Sequence, residues 1–109
     1  MIIFTKRAAT GIAICQQLTY VDSLTRAELT KRLNGAPETV SRACQRLRAA
    51  GILESKRGPD GGYTIIDAPH VTVGDIVDAL GGVQTEYKSI DRMVRISLKS
   101  LKLRDVEII

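Results

Sequence analysis

The sequence predicts a mainly α-helical chain with a small β-hairpin: a winged helix-turn-helix domain followed by a long C-terminal dimerisation helix. Three observations predict it. Two short helical stretches meet at Asn34-Gly35, a pair that tolerates positive φ. The stretches "ILESK" and "GYTII", rich in β-branched and aromatic residues, flank a Gly-Pro-Asp-Gly-Gly link. Apolar residues then return at helical spacing between Tyr87 and Leu101. The predicted division is a winged domain over residues 1–82 and a dimerisation helix with its tail over 83–109.

The first helix follows from Phe4, Ala8, Gly11, Ile12, Cys15 and Leu18, which form one buried stripe. Thr5 is its cap, and Lys6 and Arg7 fall in its first turn. Cations there oppose the helix dipole by about 0.3–1 kcal/mol each, a placement that suits a phosphate neighbour better than an isolated helix. Two solvated charges are the plainer alternative.

"LTRAEL" carries the clearest local signal. Thr25 caps a helix, Glu28 reaches back to it three residues on, and Leu24 and Leu29 flank the pair as a hydrophobic staple. The helix runs to Leu33. Pro37 then stands at a first helical position, where its missing N–H costs nothing. Val40, Ala43, Cys44 and Leu47 mark the inner face of a third helix, residues 37–50, ending near Gly51. In a helix-turn-helix this second member enters a major groove. The hairpin over 52–66 follows directly and makes the wing. Its glycines would let the tip approach a wall closely, its proline would limit flexing, and Arg57 would sit at a minor-groove edge, whose negative potential attracts arginine.

Beyond the wing, Thr72 caps another helix with Asp75 in its first turn; Ile76, Val77 and Leu80 face inward and Gly81-Gly82 ends it. The last helix, from about Glu86 to Leu101, carries Tyr87, Ile90 and Val94, then Ser97, Leu98 and Leu101, along one side. Met93 and Ile96 widen that face beyond what so small a domain covers, and Lys88, Arg92, Arg95 and Lys99 rim it. Such a face suggests pairing with a second copy.

Charge is distributed unevenly. Residues 1–66 hold ten Lys and Arg against five Asp and Glu, while 67–109 hold six against seven. The excess positive charge therefore lies in the winged part, as on a polyanion-binding surface. No stretch reaches the roughly 18 apolar residues of a membrane span, and the N-terminus lacks a signal peptide's apolar run. With two cysteines in the whole chain, a reduced, cytoplasmic setting is expected. One histidine, and a glycine stretch without a P-loop's Lys-Ser/Thr, give no catalytic constellation.

"RLRAAGILESKRGPDGGY" followed by "VTVGDIVDAL" closely resembles the Rrf2 family of bacterial winged-helix transcription regulators. The family has an Arg-Leu-Arg helix end, a wing with Arg-Gly-Pro-Gly-Gly-Gly-Tyr and a Val-Gly-Glu/Asp helix. The likeness is strongest from Leu29 to Leu80. Asp60 departs from the usual glycine and adds a negative charge at the wing tip.

The resemblance implies double-stranded DNA as partner, Arg57 in the minor groove, and Glu38, Thr39, Ser41 and Arg42 at base-reading positions. These four lie off the Val40, Cys44 and Leu47 face. Arg42 suits guanine O6 and N7 as a bidentate donor, and Glu38 suits a cytosine amine. Gln45 and Lys56 suit phosphate, which fixes register without specifying sequence; Arg46 and Arg48 read equally well as solvated charge. It also implies that the long helix pairs protomers.

Better-known members of the family hold an iron–sulfur cluster on three cysteines in the loop before that helix. Here the loop between Leu80 and Tyr87 is "GGVQTE", without a cysteine, so no cluster, metal or other cofactor is expected. Cys15 and Cys44 read as small apolar residues on inner helix faces, and His70 as a surface residue. Expected, then, is a homodimeric repressor on a palindromic operator; a small-molecule effector is not legible. The alternative is a winged-helix module that binds a protein.

Overall fold

The computed structural model describes residues 3–56, 61–81, 83, 84, 98, 99 and 102. The order is β1 (Ile3–Phe4), α1 (Lys6–Tyr20), α2 (Arg26–Leu33), α3 (Pro37–Ala49), β2 (Leu53–Lys56), β3 (Gly62–Ile65), α4 (Val73–Ala79) and β4 (Val83–Gln84).

Helix α1 is central and packs against α2, α3, α4 and β3. Thr5 caps it, its hydroxyl accepting from the Ala8 amide at 3.0 Å. Phe4, just before this cap, packs against the core from outside the helix. Thr5 is extended (φ −63°, ψ 156°), so the chain before it leaves helical geometry and Phe4 pairs with Val83 in an antiparallel ladder. Ile14, outside the predicted stripe, is fully buried. A helix enclosed on several sides buries more than one stripe.

Both caps predicted for short helices are complete boxes. The Thr25 hydroxyl accepts from the Glu28 amide and the Glu28 carboxylate accepts from the Thr25 amide, each at 3.1 Å. That backbone amide, with the Thr25 hydroxyl, holds the Glu28 carboxyl below its ordinary value. Thr72 and Asp75 repeat the arrangement on α4. Between α2 and α3, Asn34 takes the left-handed conformation at φ 50°, and Pro37 opens α3. Val40, Ala43, Cys44 and Leu47 form the buried face of α3.

Strands β2 and β3 pair antiparallel, with Leu53 opposite Ile65 and Lys56 opposite Gly62. A third segment joins them. Leu24 and Tyr63 exchange backbone hydrogen bonds of 3.2 and 2.8 Å, tying the hairpin to the residue just before α2's cap. Here Gly62 has a different reason from the predicted one. A Cβ on it would stand 2.7 Å from the Leu24 carbonyl oxygen; its close approach is to the protein's own backbone. The rest of the wing tip, residues 57–60 with Arg57, lies outside the described residues.

At the far end, α4 meets the C-terminal segment. A Cβ on Gly74 would lie 2.8 Å from the Lys99 backbone nitrogen, and Thr72 bridges to Lys102. Leu98, 7% exposed, belongs to the chain's own core. The remaining residues predicted to pair protomers (Tyr87, Ile90, Met93, Val94, Ser97 and Leu101) lie outside the described residues. Among the described residues no helix is long and apolar enough to cross a membrane.

Candidate nucleic-acid interface

Burying Val40, Ala43, Cys44 and Leu47 turns the opposite side of α3 outward. Glu38, Arg42 and Gln45 are exposed there, while Thr39 and Ser41 are half-buried. The structure thus brings five predicted residues onto one helix, and splits them between two depressions that flank it. On one side Glu38, Ser41, Arg42 and Gln45 line a shallow cleft with Pro37 and Arg26. On the other, Thr39 lines a groove with Lys6, Thr10, Gln17, Arg32 and Asn34. Lys56 is exposed at the end of β2.

Arg26 and Arg32 are absent from the sequence prediction. Arg26 stands at the first position of α2, and its Nη1 approaches the Ser41 hydroxyl at 3.5 Å, the outer limit of a hydrogen bond. Burial raises the Cys44 thiol on α3, and the Arg26 guanidinium opposes part of that rise. Arg32, in the last turn of α2, donates from Nη1 to the Gln17 side-chain oxygen at 3.2 Å. A charge at each end of α2 was the available signal; which side of α3 each reaches depends on how the two helices pack.

None of Lys6, Arg26, Arg32 and Arg42 has a carboxylate at salt-bridge distance among the described residues. The nearby acids are otherwise engaged or unpaired: Glu28 is turned back into its capping box, and Glu38 stands exposed in the cleft. The arrangement offers a helix with outward polar side chains, flanked by cations that among the described residues bond only neutral side chains or none. That chemistry fits an anionic, grooved polymer.

An open helix-turn-helix pair followed by a hairpin defines the winged helix-turn-helix class. Within it, the family of Rrf2 iron-dependent transcriptional regulators matches residues 4–95, and this chain belongs to that family. Solved structures of the same fold include a Listeria innocua protein (TM-score 0.79, 24% identity, covering 95% of this chain and 85% of that one). CymR (YrzC), the global cysteine regulator of B. subtilis, superposes with TM-score 0.79 at 22% identity, over 96% of this chain and 95% of its own. T. potens IscR gives 0.77 at 20% identity, over 93% and 82%. No curated protein matches the chain in sequence.

The iron in the family's description can be tested against the donors this chain offers. Cys15 and Cys44 are its two cysteines, and both are buried in the core. Burial, with the neighbouring Cys44 thiol, pushes Cys15 up to about 12; burial pushes Cys44 up to about 11. Cluster ligation needs thiolates, usually four. His70 lies in the surface turn before α4, its Nδ1 2.7 Å from the Asp67 carboxylate. Among the described residues no group of three or more His, Cys, Asp and Glu is placed to hold a metal. These donors do not fit a cysteine-held cluster.

Proposed function

We propose that the chain is a homodimeric, sequence-specific DNA-binding regulator that represses by occupying a palindromic operator. The observation that carries the proposal is the outward face of α3, with Glu38 and Arg42 exposed between cations that have no carboxylate partner among the described residues. Arg42 takes a guanine edge, Glu38 a cytosine amine, and Thr39 and Ser41 adjust the fit. Gln45, Lys56 and Lys6 meet phosphate. Arg57 enters the adjoining minor groove from the wing. Protomers pair through Tyr87, Ile90, Met93, Val94, Ser97 and Leu101, with Leu98 anchoring the end of that segment to its own domain. The protein acts by binding and not by catalysis, without a cofactor, in the cytoplasm.

Selection of bound sequences from a random duplex pool at physiological salt, with protein mass measured in parallel, tests this. The expected result is an enriched palindrome whose half-sites lie about 34 Å apart or a multiple of it, bound by a protein with the mass of two chains. Unenriched pools and a single-chain mass would refute it. Arg57→Ala should weaken binding and relax any preference for narrow A·T-rich minor groove; unchanged binding to every sequence would remove the wing from the mechanism.

A further inference from the structure

The two depressions beside α3 are not equivalent to one wide basic patch. Arg26 and Arg32 leave opposite ends of α2, and α3 runs between the surfaces they reach. Arg26 meets Ser41 in the cleft shared with Arg42 and Gln45, whereas Arg32 meets Gln17 in the groove shared with Lys6 and Thr39. An α-helix with its side chains is about 10–12 Å across, and the major groove it would fill is about 12 Å wide. Each flank of such a helix therefore faces a different phosphate backbone.

We infer that α3 is seated by a two-sided phosphate clamp: Arg26 holds the backbone of one DNA strand, and Arg32 with Lys6 holds the backbone of the other. The inference rests on the DNA-binding reading above and adds to it two residues and a strand assignment. Ser41 then acts partly as a positioning residue, because its hydroxyl accepts from Arg26 and aims the guanidinium along the cleft. Arginine suits the task, since its planar fork matches two phosphate oxygens at once. The cost of a cation in the first turn of α2 is offset when a phosphate arrives beside it.

The test uses the full-length protein on its selected duplex. Each phosphate contact contributes about −0.9 to the slope of log K against log salt. Arg26→Gln and Arg32→Gln should each make the slope shallower by about 0.9 per bound protomer, with a similar loss on every sequence. Arg26→Lys should restore most of the slope. Single methylphosphonates, which remove one phosphate charge, then assign strands. Arg26→Gln should become insensitive to a neutral phosphate on one strand of the half-site, and Arg32→Gln to one on the complementary strand.

A slope unchanged in either variant, or both variants losing sensitivity on the same strand, overturns the clamp while leaving DNA binding intact. A parent protein that binds no duplex overturns the clamp together with the reading beneath it. Thermal unfolding of each variant at the parent's temperature shows that the binding change is not a folding defect.

Discussion

Lys99 is held by two carboxylates, Asp75 and Asp78, at 2.9 Å each, whereas Arg26, Arg32 and Arg42 around α3 have none at salt-bridge distance among the described residues. The difference separates two uses of positive charge. At the α4 junction the cation fastens one part of the chain to another, beside the close backbone approach at Gly74 and the buried Leu98. Around α3 the cations make no such ion pair among the described residues. Exposed ion pairs contribute only about 0–1 kcal/mol, so forgoing them here costs the fold little. It keeps their donors available for phosphate.

The contrast breaks first at Leu98. If the junction belongs to the protomer's own core, Leu98→Ala should lower unfolding stability by about 2–5 kcal/mol, through lost burial and the cavity left behind. The measurement is denaturant unfolding at several protein concentrations. A loss that vanishes at high concentration would put Leu98 in the contact between copies instead. Arg42→Ala should do the reverse, leaving unfolding unchanged and costing about 1–3 kcal/mol in binding, concentrated at one base pair per half-site. Titration against a set of single-base operator variants measures this; an equal loss on all of them would mean that Arg42 touches only phosphate.

Lys99→Ala should give the smallest change, about 0–1 kcal/mol in stability with DNA affinity unaffected. Its signature is in pH. Burial alone would push Asp75 up, but Lys99 and the Thr72 amide and hydroxyl hold it below its ordinary value; Asp75 and Asp78 push Lys99 up. A lowered acid stabilises above the ordinary aspartate value of 3.8, and its share is lost as pH falls through the depressed value. A raised base stabilises below the ordinary lysine value of 10.5, and its share is lost as pH climbs through the elevated value. Thermal melts across pH should therefore show the junction's contribution between these limits in the parent, and a flatter profile in Lys99→Ala. Identical profiles would mean that the bridges add nothing to stability.

The residues legible in the sequence are those whose role is decided within a few positions. Thr25 with Glu28, and Thr72 with Asp75, close their boxes three residues apart, and Asn34 adopts positive φ between two helices that announce themselves. The outward face of α3 followed from its inward one. What was not legible depends on partners distant in the chain. Gly62 is required by Leu24 and Gly74 by Leu98 and Lys99, so each reads locally as mere flexibility. The β1–β4 ladder pairs two residues with two, too few to show a period. Arg26 reaches α3 through Ser41, fifteen positions away, and nothing in "LTRAEL" distinguishes it from a solvated charge.

The most direct test is the slope of log K against log salt for the parent protein on its selected duplex. With Lys6, Arg26 and Arg32 each neutralising one phosphate, the slope should be about −2.7 per protomer or steeper. A slope near zero, or equal affinity at low and high salt, would show that the cations around α3 do not meet DNA.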